Sequence, residues 1–162
     1  MLFRSLPNGS NYALYVNRKG YFFKSLSFDF SEKIDADGKR LDIQLEAIRK
    51  DAKEILNNIF FDSGKADLKP ESLTELEKLL KLLKQNPTLS VEISGHTDDI
   101  GKDADNQILS QKRASSVVDY LVKNGANSFT IKALGYGETK PILPNISEEN
   151  RKQNRRIEMR IL

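Results

Sequence analysis

Thr88-Leu89-Ser90-Val91-Glu92-Ile93-Ser94 runs directly into Gly95-His96-Thr97-Asp98-Asp99-Ile100-Gly101, and this passage decides the fold. Its first half alternates apolar and polar residues, as a half-buried strand does. Downstream lies Leu109-Ser110-Gln111-Lys112-Arg113-Ala114, and from Ala114 to Gly125 the apolar spacing becomes that of a helix. The expected buried stripe is Ala114, Val117, Val118 and Leu121, and Asn124-Gly125 forms a stop signal. A strand-loop-helix of this kind places Asp98 just past a strand end and Arg113 in the first turn of the next helix. Both groups then share one end of a sheet, with Asn106 between them. One acid and one base side by side, both open to solvent, suit a zwitterionic ligand such as an amino acid.

Working outward, Ile59-Phe60-Phe61 is a short apolar run between Asn57-Asn58 and Asp62-Ser63-Gly64, which predicts a buried strand. Lys69-Pro70-Glu71-Ser72 opens a helix whose Leu73, Leu76, Leu79, Leu80 and Leu83 recur at three and four. Asn86-Pro87 stops it. Beyond the central passage, Thr130–Leu134 reads as a strand, Gly135-Tyr136-Gly137-Glu138 as a turn, and 138–151 as a polar loop. Arg156–Leu162 reads as a last strand with Ile157, Met159 and Ile161 on one face. The order is β-α-β-α-β-β. Helical crossovers make the strands they join parallel, and the loop-connected last strand is a candidate for antiparallel pairing. The expected class is α+β, a two-layer α/β sandwich: a mixed sheet with its helices on one face.

The first fifty residues read as β structure: strands at Asn11–Val16, Tyr21–Phe30 and Arg40–Ile48, with a turn signal at Asp35-Ala36-Asp37-Gly38. Three short strands enclose little core. Residues 1–50 are therefore expected to be a partial β-sandwich or a meander, and 51–162 the second domain. The aromatics Tyr21, Phe22, Phe23, Phe28 and Phe30 read as core or a domain contact; left uncovered, they would favour a homodimer.

Bulk composition narrows the function. The 162 residues are 38% hydrophobic and 30% charged, an ordinary globular balance. A net charge of +3, with both signs interspersed, gives no argument for nucleic acid. The absence of cysteine excludes disulfides and thiolate metal sites and leaves the compartment open. A single histidine, His96, leaves little for a metal centre. No apolar run approaches the roughly 20 residues of a membrane span. No signal peptide is visible, so a chain working outside the cytoplasm would be a piece of a longer precursor.

Ile59-Phe60-Phe61-Asp62, Leu68-Lys69-Pro70, Gly95-His96-Thr97-Asp98 with Gly101, Asn106, Leu109-Ser110, Arg113-Ala114, Gly135-Tyr136-Gly137-Glu138 with Pro141, and Asn154-Arg155-Arg156 follow one another in a distinctive order. In that order and spacing, residues 57–162 resemble the OmpA-like peptidoglycan-binding domain, also found in peptidoglycan-associated lipoproteins and flagellar stator proteins. The resemblance implies non-covalent binding of the peptidoglycan stem peptide and no cofactor. The aspartate and arginine matching Asp98 and Arg113 grip the free end of meso-diaminopimelate in that family. Asp98 would take the ammonium. Arg113 would offer the carboxylate a planar fork, aided by the nearby helix N-terminus. Asn106 would orient the loop or touch the ligand, and Thr97 with Asp62, Ser63 and Gly64 would line the pocket. Asn154 and Arg155 complete the candidate binding set. The pattern departs from its common form at Asp99, Asp105 and Gly64, which bears on fine specificity. More loosely, Asn11-Tyr12-Ala13-Leu14 and Lys19-Gly20-Tyr21-Phe22-Phe23 resemble the end of a carboxypeptidase-regulatory-type module. Such a module precedes this domain in Bacteroidetes-type envelope proteins.

Plainer readings stand beside these. Asp98 and Arg113 could simply staple loop to helix. His96 reads as a strand-end histidine bonded to backbone rather than a catalyst. The acids 98, 99, 103 and 105 lack the glycine and terminal glutamate of an EF-hand. Asn154 also reads as a loop staple, and Arg156 as a structural salt-bridge residue. The expectation is a periplasmic, outer-membrane-associated anchor that is not an enzyme. The alternatives are a structural domain for a protein partner and, third, a peptidoglycan hydrolase.

Overall fold

The structure is a computed structural model that describes residues 11–18, 20–29 and 42–162. The expected turn at 35–38, and Phe30, Arg40 and Leu41, lie outside the described residues. The chain divides into two compact units, Met1–Ile48 and Arg49–Leu162.

In the first unit, β1 (Asn11–Val16) pairs antiparallel with β2 (Lys24–Asp29), Leu14 opposite Leu26. Phe22 and Phe23 are buried, and Tyr15 packs on the Phe23 ring. The strand expected over 40–48 does not form in its described part. Phe22 N–H donates to Glu46 O, Ile48 N–H donates to Gly20 O, and this pairing amounts to one bridge, Tyr21 to Ala47.

The second unit is a two-layer α+β fold. Its elements are β3 (Lys53–Ile55), α1 (Leu73–Gln85), β4 (Val91–Gly95), α2 (Asp103–Lys123), β5 (Ile131–Gly135), α3 (Glu148–Asn154) and β6 (Ile157–Ile161). The sheet order is β3-β6-β4-β5. β4 and β5 are parallel, as a helical crossover requires. β6 is antiparallel to both neighbours and lies inside the sheet. Alternation sends Val91, Ile93, Met159 and Ile161 into the core, where they meet Leu76, Leu79, Leu83, Ala114, Val117 and Leu121. Of the residues expected in the helical stripes, Leu80 and Val118 are half-buried and Leu73 is exposed.

Two strand-end glycines set how closely α2 approaches the sheet. Gly95 and Gly135 are paired neighbours on β4 and β5. A Cβ on Gly95 would lie 2.2 Å from Ser110 O, and one on Gly135 2.3 Å from Gln111 N. The helix backbone rests directly on the bare strand backbone, which fixes the position of every residue on this stretch of α2.

Three expectations are corrected. The first strand of this unit is Lys53–Ile55, not 59–61. Phe60 N–H donates to the Ser72 hydroxyl and Phe60 O accepts from Lys69 N–H, so this backbone is tied to the turn that starts α1 instead of a sheet. The stretch 138–151 is not all loop: Ser147 caps α3 by accepting from Asn150 N–H, with Glu148 and Glu149 in the first turn. Arg113 lies not in the first turn of α2 but ten residues after its start, about 15 Å along the axis.

Candidate functional site

The loop 96–102 leaves β4 and is held on three sides. His96 N–H donates to Arg156 O, Thr97 N–H to Gly137 O, and Tyr136 N–H to Gly95 O. Asn106, buried on the first turns of α2, reaches back into the loop. Its amide nitrogen donates to Asp98 O, Ile100 O and Glu138 Oε2, at 3.2, 3.2 and 2.7 Å. Asn106 is thus the loop's staple, and its donors are used within the protein.

Asp98 is 6% exposed. One carboxylate oxygen accepts from Ile100 N–H at 3.1 Å, closing a turn over the loop. The other accepts from Arg155 Nη1, and Arg155 Nη2 reaches Glu148 at 2.6 Å. Hydrogen bonding to Asp98, less its own desolvation, raises the Arg155 pKa above its ordinary value. Asp99 is held by Arg151 at 2.8 Å, which lowers its pKa through that hydrogen bond. Two arginines flanking the end of α3 therefore clasp both acids of the site loop.

Arg113 forms no ion pair with Asp98. Its Nε donates to Lys65 O at 2.9 Å and its Nη2 to Asp62 O at 3.2 Å, and its guanidinium lies 5.1 Å from the centre of the Phe61 ring. Burial lowers its pKa, the positive charge of Arg155 lowers it further, and Asp98 opposes both. The charges of Asp98 and Arg155 thus both act on Arg113. Two of the five N–H groups of the fork are spent on the 62–65 loop; both on Nη1 and one on Nη2 remain. The fork is therefore open at its end. The N-terminus of α2 is a separate feature by the distance given above, and does not assist Arg113. The plainer reading of Asp98 and Arg113 as a mutual staple fails: each is held by a different group.

Among the other candidates, Asp62, Ser63 and Gly64 form the exposed loop that Arg113 fastens, with Gly64 at φ +66°. Thr97 is buried and its hydroxyl has no partner among the described residues. Asn154 is fully buried, and its amide is committed to Ile142, Leu143 and Asn145. Its side chain shapes the loop before α3. Arg156 pairs with Glu158 and donates to Asn154 O and Lys140 O, a structural placement. The His96 ring is not bonded to backbone as expected: neither ring nitrogen has a hydrogen-bond partner among the described residues. No cluster of three potential metal ligands occurs among the described residues.

Sequence reasoning missed the Phe61 ring beneath Arg113, the Glu138 contact to Asn106, and the clasp of Arg151. For the clasp a signal existed in Ser147-Glu148-Glu149, a helix start that brings Arg151 and Arg155 to one side at a spacing of four.

A family model described as the OmpA family matches residues 60–155. The chain belongs to the OmpA family. This OmpA-family chain is 45% identical over 101 residues to outer membrane porin F of Pseudomonas fluorescens, covering 62% of the chain and 31% of that protein. It therefore spans about a third of the length of that relative. Among solved structures it is similar to the peptidoglycan-associated lipoprotein from Burkholderia pseudomallei, with a TM-score of 0.60 and 28% identity, over 64% of this chain and 88% of that one. It is also similar to the cell wall anchor of the T6SS from Pseudomonas aeruginosa, with a TM-score of 0.58 and 27% identity, over 68% of this chain and 78% of that one. The names of these three relatives refer to the outer membrane, peptidoglycan and the cell wall, and the site loops 62–65 and 96–102 lie within the residues matched by the family model.

Proposed function

We propose that this OmpA-family domain binds peptidoglycan non-covalently through the free end of diaminopimelate in the stem peptide, tethering an outer-membrane or periplasmic protein to the wall. The observation that carries this reading is the buried Arg113 fork, with three N–H groups not taken up by the 62–65 loop and with its charge acted on by the buried Asp98 carboxylate. The three remaining N–H groups of Arg113 suit a carboxylate bound end-on. The ligand ammonium takes the Asp98 oxygen that Arg155 holds in the unliganded site. The unpaired Thr97 hydroxyl and the 62–65 loop supply the wall of the pocket. The names of two structural relatives, a peptidoglycan-associated lipoprotein and a cell wall anchor, support the same kind of partner. No catalytic step is proposed. We read residues 1–50 as the end of a carboxypeptidase-regulatory-type module joined to a 51–162 binding domain, on the motifs quoted above.

The test is calorimetric titration with meso-diaminopimelate, with a stem peptide carrying it, and with the same peptide carrying lysine in its place, whose free end has the ammonium without the carboxylate. Saturable binding of the first two, with the lysine peptide much weaker and Asp98→Asn inactive, is the expected result. A folded wild type that binds the two peptides equally overturns the assignment of Arg113.

A further inference from the structure

The sheet face turned away from α1 and α2 carries a second set of polar groups, which the site above does not use. On it lies a 250 Å³ pocket at the meeting of β3, β4, β6 and the 136–142 segment. Its two buried carboxylates are already matched. Glu92 accepts from Arg160 at 3.1 Å and from the Tyr136 hydroxyl at 3.1 Å, and lies 3.3 Å from Lys132 Nζ. Glu158 is paired with Arg156 at 2.6 Å. Two further cations line the pocket without an ion pair or hydrogen bond among the described residues: Lys53, on the edge strand, and Lys140, whose ammonium sits 3.5 Å above the Tyr136 ring. The pocket thus holds two cations that no anion compensates.

His96 stands at the same place. It is 2% exposed, stacked on Tyr136 at 5.3 Å, and its nearest acceptor, Glu158 Oε2, is 3.8 Å from Nε2, beyond hydrogen-bond reach. Buried polar groups are almost always partnered, so an orphan imidazole in a polar pocket marks a network that something else completes. The groups that face it are Arg156 just before β6 and Glu158 on it, Lys140 and Tyr136 from the segment after β5, and Lys53 from β3.

We propose that this pocket is a second ligand site, taking a phosphate group on Lys53 and Lys140 with His96 at its floor. Two ammonium point charges with no internal counter-ion match a doubly charged oxyanion. The site is independent of Asp98 and Arg113, which lie outside its lining.

His96 is the protein's sole histidine and so an unambiguous reporter. The whole chain, isotopically labelled, is titrated with inorganic phosphate at constant ionic strength held with chloride, and the His96 ring and Ser94 amide resonances are followed. The expected result is a saturable shift at both. It should weaken at least tenfold in Lys53→Ala/Lys140→Ala, whose melting temperature should be unchanged because both side chains are exposed, and persist in Arg113→Ala. A shift that is linear in phosphate, or equal in the double variant, or lost in Arg113→Ala, overturns the proposal. Sedimentation with vesicles containing phosphatidic acid, whose headgroup is a phosphate monoester, then separates the sources. Double-variant-sensitive binding assigns the site to a lipid headgroup; no sedimentation, with the phosphate shift intact, assigns it to a soluble phosphate.

Discussion

Replacing Arg113 separates two jobs that the structure gives to one side chain. Inward, the guanidinium fastens the 62–65 loop through Lys65 O and Asp62 O. Outward, its open end meets the ligand. In Arg113→Ala the two loop carbonyls lose charge-assisted donors, each worth about 1.5–3 kcal/mol when buried. Asp62 and Lys65 are exposed, so water replaces much of this. A net stability loss of about 1–2 kcal/mol is expected, small enough to leave the domain folded. The affinity loss is larger, because Asp98 and the ligand carboxylate then face each other without the neutralising charge. Removing one partner of a desolvated charge pair costs about 2–5 kcal/mol, or roughly 30- to 5,000-fold in Kd. Arg113→Lys keeps the charge and loses the planar fork; its single nitrogen must choose between loop and ligand, and a loss of roughly tenfold is expected. Calorimetric titration with meso-diaminopimelate gives the affinities, and amide spectra of residues 62–65 report whether the loop holds. An Arg113→Ala protein with an ordered loop and an affinity within twofold of wild type would refute the outward role.

Arg155→Ala removes the group that occupies Asp98 before the ligand arrives. With Arg155 about a third exposed, the pair is discounted to about 1 kcal/mol, so binding should tighten about fivefold by the same titration. A weakening instead would make Arg155 part of the bound site. Gly95→Ala forces a Cβ to within 2.2 Å of the α2 backbone. It should cost about 3 kcal/mol and lower Tm by roughly 10 °C in a thermal melt; an unchanged Tm would show that α2 moves aside freely. Burial and nearby cations lower the His96 pKa from its ordinary 6.5 to about 4. The unfolded chain therefore takes up a proton at His96 before the fold does, and stability falls as pH drops from 6.5 to 4, by up to about 3 kcal/mol. Urea melts across that range should show this slope in the wild type and not in His96→Asn.

The parts of the fold that were legible are those set by local pattern. The leucine spacing of α1 and the Asn86-Pro87 stop needed no long-range information, nor did the alternation of β4 and β6. Asp98 and Arg113 stood out because a strand-loop-helix brings its loop and its helix to one end of a sheet. What stayed hidden depends on partners distant in sequence. The edge strand Lys53-Glu54-Ile55 is too short to show a period and exists because β6 pairs with it. Phe60-Phe61 carries a strand's composition, yet the Ser72 hydroxyl takes its backbone, and Phe61 serves as a platform for Arg113. The Arg155–Asp98 contact joins residues 57 positions apart and stands where proximity in sequence suggested an Asp98–Arg113 ion pair. α3 has no apolar stripe to read, only its cap.

The interior position of β6 also dictates when this domain can fold. β6, the latest of the domain's strands in sequence, is the one that joins β3 to β4, and Arg160 meets Asp51 across 109 positions of sequence. A nascent chain that still lacks β6 can pair β4 with β5 but has nothing on which to seat β3. The sheet closes only after the whole domain has been synthesised, and loop-closure entropy across that span slows the step. The same dependence makes 157–161 the segment whose loss would leave β3 without a partner strand and β4 paired with β5 alone.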